Sequence, residues 1–384
     1  MAILRKFDIS EKIDIVKTSR WEFFTVNSVH EELWLALGNI TEVRKIGLNV
    51  FKKKRGLAGE KLNSAYDKFC AFCYQAKNYY DSALHAPWDS SPLLYYYSFM
   101  NLAKAIILLH RDLPDNPIHG LSFDTKNASL NIKRHKLNLI SDYNKCIFPV
   151  LYEIVFGHRP IVNTFNIVRL FSYISQIFSQ ERKIGIEQFN IRNGFAILVG
   201  DSLRGLAWII LLSEGDIDLT REFPFSSGFR NLFEIVDKNP LVLHQLVSVF
   251  GISILRLATL NIYQSVTPKP IDSKLSLFCS DIFTSAKGVI TEKVYPEPGD
   301  FKYNLPYQQG SDRKLVYMNE FLALYLLMFY LSSLVRYRPD ILIKLESKKE
   351  KWLFKSFVLS APIMLLRYCV NILVGESIII KKEE

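Results

Sequence analysis

Residues 91–110, SPLLYYYSFMNLAKAIILLH, constrain this chain more than any other stretch. Ala86-Pro-Trp-Asp-Ser-Ser-Pro precedes them, and Ser90 or Ser91 is a natural N-cap with Pro92 in the first turn. Asp112-Leu-Pro-Asp-Asn-Pro follows and stops any helix. The spacing therefore predicts a helix that is apolar on almost every side, and such a helix must be wrapped by other apolar elements. The chain offers them. Residues 60–86, 146–186, 190–213, 229–237, 240–263, 314–336 and 349–374 read as helical by length and apolar content. The expected class is mainly α, a large helical bundle with minor β or extended segments. With 384 residues, 49% apolar and 22% charged, the chain is too apolar for disorder, too charged for a membrane bundle, and long enough for a large core.

Two of these helices carry polar residues where they are costly. Tyr97, Asn101, Lys104, Leu108 and Arg111 recur at helical spacing on one face of the first. Burying an amide without partners costs roughly 2–7 kcal/mol, so a buried stripe would need partners from elsewhere. An exposed stripe would need none, with Lys104 reaching outward. Tyr325, Ser332 and Arg336 share a face of the later helix, which Pro339 stops. Arg336 could cap carbonyls, pair with an acid or clamp an anion.

Lys and Arg outnumber Asp and Glu by 48 to 38, a net +10 that is modest for this length, so its distribution matters more than its sum. One run holds Arg44, Lys45, Lys52, Lys53, Lys54 and Arg55; a second holds Lys126, Lys133, Arg134, His135 and Lys136. Such clusters neutralise phosphates, and solvated helix ends look the same. The five cysteines are sparse and odd in number, which argues for a reducing cytosol over a disulfide framework. Cys70 and Cys73 form a CxxC on a predicted helix, with no second ligand pair to complete a zinc site, so core packing is their expected role. Met1-Ala-Ile-Leu-Arg-Lys-Phe-Asp lacks the apolar core of a signal peptide. Residues 240–263, 321–335 and 353–375 approach a membrane span, but charges or shortness favour buried helices. A cytoplasmic chain without membrane insertion is the expectation.

The chain divides into an N-terminal segment with its basic run (1–57), a helical core with a His-Gly loop (58–145), central helices (146–270), a loop-rich connector (271–313) and a C-terminal helical pair (314–384). The connector includes an extended piece near Lys293. All five are expected to form one intimate body.

Three pieces occur in order: Ser91-Pro-Leu-Leu-Tyr-Tyr-Tyr-Ser-Phe-Met-Asn-Leu-Ala-Lys-Ala, Ile118-His-Gly-Leu, and Leu331-Ser-Ser-Leu-Val-Arg-Tyr. Together the set resembles the YaaC-like family of bacterial proteins, which brings no established reaction with it. More faintly, the first helix resembles the HEPN superfamily of helical bundles, which would make residues 58–145 a HEPN-like core. Many HEPN proteins are ribonucleases of toxin and phage-defence systems with an Arg-x4–6-His motif, in which Arg offsets phosphate charge and His works on the 2′-hydroxyl. Arg111 and His119 come nearest to that motif, with seven intervening residues and two prolines, which departs from it.

The reading that follows is a protein binding nucleic acid or a nucleotide, extending to a defence-linked RNase. Its candidate catalytic residues are His119 and Arg111, and its candidate binding residues are Tyr97, Asn101, Lys104 and Arg336. No metal ligand or cofactor is expected. The alternative is a non-enzymatic interaction or scaffold subunit, a protein partner or homo-oligomer, whose polar residues only lock the fold. His119-Gly120 would then be a hydrogen-bonded turn. Gly200-Asp-Ser-Leu, with Ser202, sits inside a run read as helix and lacks the later DxxH of GDSL hydrolases. Pro339-Asp340 to Glu346-Ser-Lys348 lacks the strand hairpin of a PD-ExK nuclease.

Overall fold

The computed structural model describes residues 29–114, 116–125, 128–140, 145–157, 163–171, 193–201, 204–214, 233–236, 253–270, 301–304, 315–345 and 349–375, with short pieces between and around them. Lys126, Ser202, Cys279, Lys293, Glu346 and Lys348, all weighed above, lie outside the described residues. The helices are α1 (Val29–Thr41), α2 (Arg44–Arg55), α3 (Gly59–Leu84), α4 (Ser91–His110), α5 (Ile147–Phe156), α6 (Ile167–Phe171), α7 (Ile254–Thr259), α8 (Glu320–Tyr337), α9 (Pro339–Lys344) and α10 (Lys349–Val374). The strands used below are β1 (Glu11–Ile13), β2 (Glu22–Phe24), β3 (Leu121–Phe123), β4 (Lys136–Leu139), β5 (Thr164–Asn166), β6 (Asn193–Asp201), β7 (Leu206–Glu214), β8 (Phe233–Ile235), β9 (Leu260–Ser265), β10 (Lys269–Pro270), β11 (Thr291–Glu292) and β12 (Phe301–Asn304). The class is mainly α. The chain forms two compact units, Met1–Glu22 with Asn190–Pro306, and Phe23–Phe189 with Tyr307–Glu384.

The larger unit is built around α4. Fourteen of its twenty residues are buried, so this helix has no broad solvent face. It runs antiparallel to α3: Ser98 Oγ donates to the Ala76 carbonyl at 2.8 Å, and Tyr95 packs edge-on to Tyr80. α5, α8 and α10 cover its remaining sides. Ser90 stands at the N-cap position with Pro92 in the first turn, but its hydroxyl turns back to the Pro87 carbonyl and caps no helical amide. α8 starts later than its pattern suggests. Asn319 caps it by accepting from the Leu322 amide at 2.9 Å, and residues 315–317 before it are a strand. Among the described helices, α4, α8 and residues 350–374 of α10 are long and apolar enough to cross a membrane; each buries most of its apolar window inside the protein.

A small antiparallel sheet, β3-β4-β5, joins this bundle. His135 fastens it. The ring is buried, with Nδ1 2.7 Å from the Tyr330 hydroxyl on α8 and Nε2 2.8 Å from the Ser129 carbonyl. Arg338 fastens the preceding loop, donating to the carbonyls of Thr125 and Ala128 while gripping Asp340 through two nitrogens.

The smaller unit corrects the helical reading of residues 190–213. Residues 193–201 and 206–214 are paired strands, Gly194 opposite Ser213 through Asp201 opposite Leu206. Residues 233–235 and 260–263, also read as helix, lie in strands too. The sheet order is β11-β12-β6-β7-β9-β8, with β1 on β6 and β10 on β7. The reason is burial. Ala207 to Leu212 is buried at every position, so this strand shows no alternation to distinguish it from a helix.

Candidate anion-binding site

Residues 118–120 are held tightly before any side chain acts. The Ile118 amide donates to the Lys145 carbonyl, the Ile147 amide to Ile118, and the Phe148 amide to His119. Gly120 adopts φ +79°, and a Cβ there would lie 2.6 Å from Cys146 Cβ and 2.8 Å from Pro149 Cδ. Only glycine combines that dihedral with that clearance. The segment is thereby pinned against the start of α5.

His119 leaves this clamp with a defined tautomer. Its Nδ1 accepts from the Leu121 amide at 3.1 Å, so a neutral ring carries its proton on Nε2. The ring packs on Phe329 of α8 at 5.1 Å between centroids. Burial and the nearby Arg336 charge both push its pKa below the ordinary histidine value.

Arg336, near the end of α8, is exposed. Its guanidinium lies 5.5 Å from the Tyr97 ring centre and 5.2 Å from that of Tyr337, and donates to the Tyr337 hydroxyl at 3.2 Å. No carboxylate pairs with it among the described residues. Tyr97 is in turn supported by Tyr79. Of the candidate residues, the structure thus brings together Tyr97, His119 and Arg336. The arginine beside His119 is Arg336, from the far end of the sequence.

The others go elsewhere. Arg111 donates to Glu153 at 3.0 Å. Lys104 lies over the Phe72 ring of α3, 5.1 Å from its centre, and burial lowers its pKa. Asn101 is 2% exposed, and its Oδ1 has no hydrogen-bond partner. The stripe on α4 is therefore not one solvent face, and its polar groups go to different surroundings.

Sequence reasoning missed Phe329 and Tyr337. Phe329 is the ring on which both His119 and Tyr96 rest. Tyr337 directly follows Arg336, and the exposure of an aromatic there was not legible from an apolar helix. Among the described residues, no group of three or more His, Cys, Asp or Glu could hold a metal ion. Cys70 and Cys73 are free thiols on α3. Cys73 is buried, and Cys70 Sγ donates to the Thr41 carbonyl.

Thus the tyrosine helix, the His-Gly segment and the terminal Arg-Tyr of α8 meet at one place. A family model described as YaaC-like protein matches residues 43–193 and 259–373, more than half of the chain. The chain belongs to the YaaC-like family. No match emerges among curated proteins or among solved structures. In this YaaC-like chain the match includes every element of the Tyr97–His119–Arg336 cluster.

Proposed function

We propose that this YaaC-like protein binds a phosphate-bearing ligand, a nucleic acid or a nucleotide, at the Tyr97–His119–Arg336 cluster. The observation that carries the proposal is the state of Arg336: an exposed guanidinium with no carboxylate partner among the described residues, between two tyrosine rings and beside a histidine held neutral. A guanidinium presents several donors to phosphate oxygens, and flanking aromatic rings hold it while offering faces for bases. The exposed Lys45, Lys52 and Lys53 of α2 would draw in a longer polyanion. In the HEPN-like, defence-linked RNase form of this reading, Arg336 offsets the phosphate charge and His119 is the acid–base group, which requires its ring to leave the Leu121 amide and free a nitrogen lone pair for the 2′-hydroxyl proton. The protein would work in the cytoplasm.

Binding of a labelled single-stranded RNA at ~50 mM salt, where phosphate contacts are strong, tests the first part. Cleavage of the same RNA by wild type and His119→Ala tests the second. Absence of binding by wild type rejects the site.

A second reading, an interaction subunit, draws on Leu35, Trp352 and Leu359, large apolar side chains left exposed on α1 and α10. Mass measurement in solution tests it. A monomer that binds no RNA would leave neither reading standing for self-association or nucleic acid.

A further inference from the structure

Helix α8 is buried at every residue from Glu320 to Leu334, and then it changes character. Arg336 and Tyr337 are its exposed residues, and Tyr337 lies 57% open to solvent. A single exposed aromatic is ordinary on a protein surface. This one stands against a guanidinium that has no carboxylate partner among the described residues. The ring centre is 5.2 Å from Cζ of Arg336, and the Tyr337 hydroxyl accepts from an Arg336 nitrogen at 3.2 Å. A second ring, Tyr97 of α4, lies 5.5 Å from the same guanidinium. Tyr97 is half-buried and packs on Tyr79 of α3 at 5.4 Å and on Tyr96 at 6.0 Å. Of the two rings against Arg336, Tyr97 is therefore the enclosed one and Tyr337 the open one.

An open ring beside an unpaired cation can hold two different parts of one ligand. Guanidinium donors grip a phosphate, and an exposed aromatic face stacks a base. In a duplex the base faces are covered by the neighbouring pairs, whereas a single strand offers phosphates and base faces together. We infer that the Arg336 site takes a single-stranded nucleic acid, with one base of the strand stacked on Tyr337 next to the phosphate held by Arg336. The inference rests on the anion-site reading and narrows its ligand to a strand with unpaired bases. A surface that reads charge alone would do the reverse and favour the duplex, whose phosphates are more densely spaced. Tyr97, enclosed by Tyr79 and Tyr96, props the guanidinium and leaves the base to Tyr337.

The test separates base from backbone. Three 5′-labelled probes of equal length are titrated by anisotropy at ~50 mM salt: a single-stranded oligoribonucleotide, the same strand with abasic units throughout, and the duplex. Each is measured with wild type, Tyr337→Leu, Tyr337→Phe and Arg336→Ala. Wild type is expected to bind the base-bearing strand about tenfold more tightly than the abasic strand, the scale of one base–aromatic stack, and more tightly than the duplex. Tyr337→Leu should lose that tenfold on the base-bearing strand and leave the abasic strand unchanged, and Tyr337→Phe should keep it. Three results overturn the inference: Tyr337→Leu within about twofold of wild type on the base-bearing strand, an equal loss on both strands, which would make the ring only a support for Arg336, or a duplex bound as tightly as the single strand. If any of these holds while Arg336→Ala weakens every probe, the anion site stands and only the base contact falls. If wild type binds no probe, or Arg336→Ala binds like wild type, the site itself is wrong and the inference goes with it.

Discussion

Two arginines that look alike in the sequence have different fates. Arg111 is spent on Glu153, an exposed pair worth about 0.2–1 kcal/mol, whereas Arg336 meets only tyrosine rings. Arg336→Ala should therefore lower RNA affinity at least tenfold with stability unchanged within about 0.5 kcal/mol. Arg111→Ala should leave affinity nearly intact. Parallel binding titrations and urea melts check both, and equal losses would return Arg111 to the site. Histidines make the second residue-scale prediction. His30, His119 and His135 all have pKa values lowered by burial. Below about pH 6.5 the unfolded chain takes up protons that the folded chain resists, so stability is full above that pH and is lost as pH falls. The melting temperature should drop between about pH 7.5 and 5.5. RNA affinity should change little over the upper part of that range, because His119 Nδ1 cannot take a proton without losing its bond from the Leu121 amide.

At the scale of elements, the His-Gly segment is where geometry is least forgiving. Gly120→Ala would force a side chain into the left-handed region and against Cys146 and Pro149. The first costs about 1–2 kcal/mol and the second about 1–3, so a loss of about 2–5 kcal/mol is expected in chemical denaturation. A loss below about 1 kcal/mol would show that the clamp yields. The helices around this segment were legible because punctuation and length agree. Pro92 and Pro339 mark a start and a stop whatever surrounds them. The β6–β7 hairpin was not legible. Its second strand is buried at Ala207 through Leu212, which erases the period-two signal, and a continuous apolar run then passes for helix. The local clue was Gly205, at φ +63° in the turn between the strands.

At the scale of the whole molecule, charge is distributed rather than concentrated. Parts of the α2 run serve the fold. Arg44 pairs with Asp67, Arg55 is 7% exposed and joins Asp112 to the Leu108 carbonyl, and Lys54 reaches the Ile372 carbonyl of α10. Lys45, Lys52 and Lys53 remain on the surface. Replacing these three with alanine should reduce the slope of log affinity against log salt by up to about two units, at roughly 0.7 per lost phosphate contact on a single strand. An unchanged slope would confine recognition to the Arg336 cluster. The sequence by itself determined the mainly α class, the bounds of α4 and the family pieces, because apolar content and prolines act through local backbone physics. Which cation remains free is another matter. Glu153 lies on α5, Phe72 on α3 and Phe329 on α8, and only the packing of these helices against α4 decides that Arg111 is paired, Lys104 is laid over a ring and Arg336 faces His119. A side chain's charge is written in the chain, but its partner is chosen by distance, and distance between remote segments exists only once the core has closed.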